Sequence, residues 1–146
     1  MHRKLVVLGC LLGCLLGALL RGPAWAEGYL ATDLHKLPDL VFGVDQTGFA
    51  VSTPSYRLTT GKAYQLTIVS TGKREYAIHA DEFFNFIWLR KVEVGDVEIK
   101  ATGLYEIEME REGKARLFFV PIKPGKYRIY AKGLDSKGAV SHIEAK

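Results

Sequence analysis

The chain has 146 residues, of which 48% are hydrophobic and 25% charged, and its formal net charge is +4. This length suits one domain. The balance of apolar and charged residues is typical of a globular protein and excludes wholesale disorder. A single long apolar run, near the N-terminus, excludes a membrane protein with several spans.

The first 26 residues have the features of a secretory signal peptide. A basic start is followed by an apolar run over residues 5–20, and Ala24 and Ala26 place small residues ahead of a cleavage site. We therefore expect cleavage after Ala26 and a mature protein in the periplasm or outside the cell. Two alternatives stay open at this point. One is an uncleaved membrane anchor, although the apolar run of about 16 residues is shorter than the roughly 20 that span a bilayer. The other is a lipoprotein modified at Cys14.

Removal of this segment changes both the charge and the cysteine count. Three basic residues would leave with it, so the 20 basic residues would fall to 17 against 16 acidic ones, and the net charge would fall from +4 to +1. A net charge near zero gives no basis for nucleic-acid binding. Cys10 and Cys14 are the only cysteines of the sequence. The mature chain would therefore have no disulfide bond and no thiolate for a metal or a substrate.

From residue 40 onward, apolar and polar residues alternate with the period of a β-strand. The inward-facing positions are expected to be Tyr64, Leu66, Ile68 and Ser70, then Tyr105, Ile107 and Met109, then Phe119, and finally Tyr127, Ile129 and Ala131. Turn-forming pairs such as Thr60-Gly61 and Pro124-Gly125 recur about every 10 to 13 residues, as in a sandwich of short antiparallel strands. We predict one all-β domain over residues 40–146, a loosely ordered lead-in over 27–39, and a short helical turn around 80–84.

Two segments resemble the cupredoxin family, in particular its small periplasmic members. The first is residues 67–78, Thr-Ile-Val-Ser-Thr-Gly-Lys-Arg-Glu-Tyr-Ala-Ile, which is followed by Asp-Glu-Phe-Phe at 81–84. The second is residues 117–131, which contains Val-Pro-x-x-Pro-Gly-x-Tyr from Val120 to Tyr127 and is the more specific match. The resemblance covers residues 40–146 and implies a Greek-key β-sandwich.

The same resemblance implies where the copper ligands of a cupredoxin would stand. The first histidine position corresponds to Tyr76, the cysteine to Ala131 and the methionine to Ala139. The second histidine would fall in the loop 132–137, which contains no histidine. A type-1 copper site needs two imidazoles and a thiolate. The sequence therefore predicts no type-1 copper and no cofactor, with copper bound in another way as the alternative.

Three histidines remain after the signal segment: His35, His79 and His142. His79 stands close to Asp81 and Glu82, so these three residues are the candidates for a metal site of another type. The simpler interpretation is that all three histidines are solvated or hydrogen-bonded. The sequence has no pattern that pairs a nucleophile with a base and no phosphate-binding glycine loop. We therefore do not expect an enzyme.

An interaction surface is predicted at the end of the sandwich where cupredoxins hold copper. Phe83 and Phe84 would supply aromatic area there, and Lys132 and Lys137 would supply charge. The alternative for these rings, together with Phe86 and Trp88, is that they fill the end of the core.

Charge is unevenly distributed along the chain, with acidic residues concentrated in 75–112 and basic ones in 113–146. Glu106, Glu108 and Glu110 are expected to be exposed. They would either pair with basic residues on adjacent strands or form an acidic stripe that steers a partner.

These features predict an exported, copper-free cupredoxin-like accessory or interaction module. It would serve an unidentified exported protein, such as a redox or metal-handling partner. The alternative is a periplasmic protein that binds or delivers a metal, copper included, at a site around His79 that is not of type 1. Neither nucleic acid nor, after signal cleavage, a membrane span is expected.

Overall fold

The computed structural model describes residues 33–146, so the predicted signal peptide lies outside the described residues. The elements in chain order are β1 (Leu34–Lys36), β2 (Leu40–Phe42), β3 (Ser55–Leu58), β4 (Ala63–Thr71), β5 (Tyr76–His79), α1 (Asp81–Asn85), β6 (Ile87–Val94), β7 (Val97–Ile99), β8 (Glu106–Met109), β9 (Glu112–Pro121), β10 (Gly125–Ala131), a 3-10 turn (Asp135–Lys137) and β11 (Val140–Ala145). No helix in this part of the chain is long and apolar enough to cross a lipid bilayer.

The strands form two sheets that share one hydrophobic core. In the first sheet the order is β1-β4-β9-β6-β7, and β2 pairs in parallel with β4 beyond the end of β1. In the second sheet the order is β3-β11-β10-β5-β8. Because β4 lies in the first sheet, β5 in the second and β6 in the first again, the chain crosses from one sheet to the other and back.

The alternation of apolar and polar residues correctly predicts which side chains enter the core. On β4 and β10 every position expected to face inward is buried, and so is Phe119 on β9. The residues are Tyr64, Leu66, Ile68, Ser70, Phe119, Tyr127, Ile129 and Ala131. These positions fix the register of the two sheets, because a shift by one residue would turn each of them to solvent.

The structure differs from two expectations, one about the segment before residue 40 and one about the side chain of Tyr105. Residues 34–36, expected to be part of a loose lead-in, form β1, which pairs in parallel with the first residues of β4. Tyr105, expected to face inward, is 74% exposed. Tyr105 lies in the loop before β8, so the period of the strand does not apply to it.

The short helix α1 buries both phenylalanines that were candidates for a contact surface. Phe83 and Phe84 are only 2% and 4% exposed. The Phe83 ring packs on the rings of Phe119 and Tyr127, each with a centroid distance of 5.5 Å. Consecutive helical residues are about 100° apart, so two neighbours can both reach the core, which alternation along a strand would not allow. The expectation that these rings are exposed to a partner is therefore wrong.

Candidate functional site

The second sheet brings three polar residues into one row on its outer face. In the pairing of the strands, His79 of β5 stands between Tyr130 of β10 and Glu106 of β8. The neighbouring residue Ile78 is fully buried in the core. Because successive side chains of a strand point to opposite faces, His79 points away from the core.

His79 is nonetheless buried, and both of its ring nitrogens contact carboxylates. Its side chain is only 3% exposed. The Nδ1 atom lies 3.0 Å from Oδ1 of Asp81, and the Nε2 atom lies 2.5 Å from Oε2 of Glu106. A neutral imidazole carries one N–H, so two such hydrogen bonds require a proton in addition, on the ring or on a carboxyl group.

Two tyrosines complete the surroundings of this histidine. The Tyr130 ring stacks on the His79 ring at a centroid distance of 6.1 Å, and the Tyr105 ring meets it edge-on at 5.2 Å. The Tyr130 hydroxyl donates a 2.6 Å hydrogen bond to Oδ2 of Asp81. The result is a continuous hydrogen-bonded chain from Tyr130 through Asp81 and His79 to Glu106, which we call the His79 network.

The hydrogen bonds of the His79 network shift two pKa values in opposite directions. The bond from the Tyr130 hydroxyl is the main cause that lowers the pKa of Asp81 from 3.8, and the bond from His79 adds to it. The same tyrosine–aspartate bond is the main cause that raises the pKa of Tyr130 above 10.0. At neutral pH the aspartate is therefore a carboxylate and the tyrosine a phenol that donates.

A cleft of about 620 Å³ opens beside the His79 network. Its lining consists of His79, Asp81, Asn85, Thr102, Gly103, Leu104, Tyr105, Tyr130 and Lys132. The loop 100–105 forms one wall, and Tyr105 stands at the opening with most of its side chain in solvent. The cleft thus combines an aromatic edge, one carboxylate and one ammonium group.

The structure brings only part of the predicted interaction surface to this cleft. Lys132 lines it, and the N–H of Lys132 donates a 2.8 Å hydrogen bond to the carbonyl of Ala77, which ties the loop 132–137 to β5. Lys137 is exposed, but its ammonium group lies over the Phe49 ring, 4.9 Å from the centroid. Phe83 and Phe84 line the core instead.

The alternative metal site around His79 is only partly assembled. His79 and Asp81 are in contact, whereas Glu82 is an exposed residue whose side chain has no contact with the imidazole. Both ring nitrogens of His79 already contact a carboxylate: Nδ1 contacts Asp81 and Nε2 contacts Glu106, on different sides of the ring. Within residues 33–146 no group of three or more histidine, cysteine, aspartate or glutamate side chains is arranged to hold a metal ion.

No protein-family model and no curated protein matches the chain, but solved structures are similar to it in fold. The multi-copper oxidase from Pseudomonas thermotolerans superimposes with a TM-score of 0.59 at 17% identity, over 87% of this chain and 33% of that one. The multicopper oxidase from Campylobacter jejuni, a metallo-oxidase, gives 0.56 at 12% identity, over 78% and 30%. The copper nitrite reductase from Nitrosomonas europaea gives 0.54 at 13% identity, over 83% and 52%.

The fold is a cupredoxin-like β-sandwich. This chain spans about a third to about half of the length of those three proteins. At these identities the likeness shows the fold alone.

The residues that the resemblance would place at copper-ligand positions have no side chains that suit a type-1 copper ion. Tyr76, Ala131 and Ala139 are fully buried. The Tyr76 hydroxyl donates a 2.8 Å hydrogen bond to the carbonyl of Gly48, and the N–H of Ala131 donates one of 2.9 Å to the carbonyl of Ala139. Methyl groups and a phenol cannot replace a thiolate and two imidazoles, and residues 33–146 contain no cysteine.

The loop 43–51 supports this closed end of the sandwich. The Thr47 hydroxyl is the main cause that lowers the pKa of Asp45 to about 2, and Oδ1 of Asp45 accepts hydrogen bonds of 2.9 Å from the N–H groups of Phe49 and Ala50. Gly43 has a positive φ of 84°, and a Cβ there would collide with the Tyr76 hydroxyl. Glycine at position 43 therefore makes room for the Tyr76 hydroxyl.

Sequence reasoning found His79 and Asp81 but missed their partners. Glu106 was expected to be exposed on an acidic stripe, whereas its side chain is 27% exposed because it reaches His79. Tyr105 was assigned to the core. One feature of the sequence could have indicated the pairing of His79 with Tyr130. Both residues occupy outward positions of strands, and both have apolar residues on either side in the sequence.

Proposed function

We propose that this chain is an exported, copper-free interaction module with a cupredoxin-like fold. It binds a partner protein through the outer face of the second sheet, around the cleft beside the His79 network. The partner is an exported protein, and redox or metal-handling proteins are the first class to test, because similar sandwiches are parts of copper enzymes.

One observation carries the copper-free part of this proposal. Three of the four positions that the resemblance assigns to copper ligands hold Tyr76, Ala131 and Ala139, and all three residues are fully buried. A metal at this end would require a cavity, and the buried phenol that bonds to Gly48 occupies the space. This end of the sandwich therefore has a structural role.

The choice of surface follows from the exposure of Tyr105. A tyrosine ring that is 74% exposed can lose a large apolar area to a partner, and tyrosine is among the residues that most often dominate binding energy at interfaces. Lys132 and Asp81 carry opposite charges beside it, and such charges at the rim orient a partner and raise the association rate. The hydrogen bonds of the His79 network hold Asp81 and Tyr130 in fixed positions.

A photo-crosslinking amino acid in place of Tyr105 is expected to capture a partner in the compartment where the protein resides. The same amino acid in place of Arg57 is the control, since the Arg57 side chain is 89% exposed and lies on β3, at the opposite edge of the same sheet. Adding Lys132→Glu should reduce the adduct several-fold at low salt and less at high salt, because salt screens exposed charges. Equal adducts from positions 105 and 57, or no effect of Lys132→Glu at either salt concentration, would contradict docking at this cleft.

A further inference from the structure

The strand β8 ends the second sheet and leaves one edge unpaired. β8 pairs with β5 on one side, and no described strand pairs with its other side. A groove of about 520 Å³ runs beside it and extends to the first sheet. Val94, Ile107, Met109 and Ala115 supply the apolar part of that groove. Such an edge offers free backbone N–H and C=O groups and a place for apolar side chains.

The outer face of β8 carries two glutamates, of which Glu106 contacts His79. Arg111 and Lys114 line the same groove as Glu108 and Glu110, but they make no ion pair with these two glutamates. In the pairing with β5, Glu106 and Glu108 lie opposite the outward-facing residues His79 and Ala77, and Glu110 follows in the bend after the end of β8. Within residues 33–146, no lysine or arginine lies within 4.0 Å of the carboxylates of Glu75, Glu108 or Glu110. The charge of Glu106, the largest cause, raises the pKa of Glu108 above 4.5, and Glu75 and Glu110 contribute. The negative charges around Glu108 therefore repel one another.

The edge of the first sheet at β7 is different. There Lys91 contacts Glu93 at 2.6 Å and Glu98 at 2.8 Å, and Arg116 contacts Glu93 at 2.8 Å. Those acids are neutralised by cations of the same chain. Cross-strand pairs thus account for the acids at this edge of the first sheet, whereas on β8 they account for Glu106 but not for Glu108.

We infer that the free edge of β8 binds an extended segment of a partner protein in which basic residues alternate with apolar ones. This inference rests on the proposed interaction role and specifies the chemistry of the partner. The segment adds one strand to the second sheet, with its main chain bonded to β8. Its lysine or arginine side chains lie beside Glu108 and Glu110, and its apolar side chains enter the groove beside Ile107 and Met109.

The alternation of side chains explains why both properties are required together. An added strand places every second side chain on the outer face, in the row of the glutamates, and the others over the groove. Main-chain hydrogen bonds provide affinity whatever the sequence of the added segment, whereas contacts of its side chains on the two faces select which segments bind. An acidic segment would be repelled by the glutamates on the outer face. A uniformly polar segment would leave the apolar groove unfilled.

The test uses a capped synthetic peptide of eight residues in which lysine and valine alternate. Titration of this peptide into the isotopically labelled full chain, followed by NMR, should shift the backbone signals of residues 106–110 most. A peptide of alternating glutamate and valine should not bind. A lysine–valine peptide with N-methyl groups on the amides that face β8 should bind at least about tenfold more weakly, because its donors are blocked.

Charge-reversal variants test the acidic face. Glu108→Lys combined with Glu110→Lys should weaken binding of the lysine–valine peptide by about tenfold or more at low salt. The matched control is Glu82→Lys combined with Asp39→Lys, which changes the net charge equally at two exposed acids that do not line the groove. Far-ultraviolet circular dichroism of both double variants checks that they remain folded.

Three results would overturn the inference. Equal binding of the N-methylated peptide would mean that charge alone attracts the peptide. Equal weakening by the control pair would mean that net charge alone acts. Absence of binding by the lysine–valine peptide at millimolar concentration would mean that the glutamates only protect the edge from association. In each case a specific adduct at position 105 would leave the proposed interaction role standing, so the two failures are distinguishable.

Discussion

Replacement of Phe119 by alanine is expected to lower the free energy of unfolding by about 3–5 kcal/mol. The Phe119 side chain is 2% exposed, and its ring meets the Phe83 ring edge-on at a centroid distance of 5.5 Å and lies 6.1 Å from that of Tyr64. It lies on β9, which pairs with both β4 and β6 in the middle of the first sheet. Truncation of the side chain would leave a cavity. The neighbouring side chains are held in place by β4, β6 and α1 and cannot move to fill it.

Chemical denaturation of the Phe119→Ala variant measures this loss. Glu108→Ala is the control, since Glu108 is exposed and its neighbours are like charges. Its stability should stay within about 0.5 kcal/mol of the unmodified protein. Similar losses in the two variants would mean that the assigned strand register is wrong.

The second large effect is expected from His79→Ala, with a loss of about 1–3 kcal/mol in the free energy of unfolding. The substitution removes the hydrogen-bond partner of Glu106, whose side chain is 27% exposed, and one partner of Asp81, whose side chain is 56% exposed. Because both carboxylates keep access to water, the loss should be smaller than the about 3–5 kcal/mol typical of a broken, fully buried ion pair.

His142→Ala is the matched control for the histidine substitution. His142 lies on the same outer face of the second sheet, on β11, and is exposed. Its replacement should change stability by no more than about 0.5 kcal/mol. In a double-mutant cycle, His79→Ala and Glu106→Ala should be clearly non-additive, because the two side chains are in contact. Additive losses would contradict the His79 network.

Acid pH should act on the same network with a defined sign. The pKa of Asp81 in the folded protein is lower than its ordinary value of 3.8. Its contribution to stability is therefore fully present above about pH 4 and is lost as the pH falls through the folded-state pKa. Tyr130→Phe removes the main cause of the shift, so this variant should lose less stability on acidification than the unmodified protein.

The sequence predicted the core well, because the core follows local periodicity. Tyr64 to Ser70 and Tyr127 to Ala131 alternate regularly, and each run lies in a strand with one face in the core. The helical turn predicted around 80–84 is present as α1, but the strand period does not apply within it, so alternation did not show that Phe83 and Phe84 are both buried. Alternation also failed at β1, because a parallel pairing of three residues with β4 leaves no pattern in the sequence.

The candidate site was less predictable, because its parts come together from distant positions. Glu106 is 27 residues from His79, and Tyr130 is 49 residues from Asp81. The burial of His79 comes from the loop before β8 and from a neighbouring strand, so no local period indicates it. The lack of a thiolate after residue 26 could be read from composition alone, because it does not depend on how positions 76, 131 and 139 are aligned.

Copper binding tests the central claim most directly. Copper(II) is added to the full chain in which Cys10→Ser and Cys14→Ser remove the two thiols of the sequence, and the visible spectrum and the bound copper are measured. The account predicts no intense absorption near about 600 nm, where a thiolate bound to type-1 copper absorbs. Ala131→Cys alone should not create this band, because Tyr76 and the loop 132–137 supply no imidazole. The account also predicts that no copper is tightly bound, so one tightly bound copper ion per molecule would contradict it.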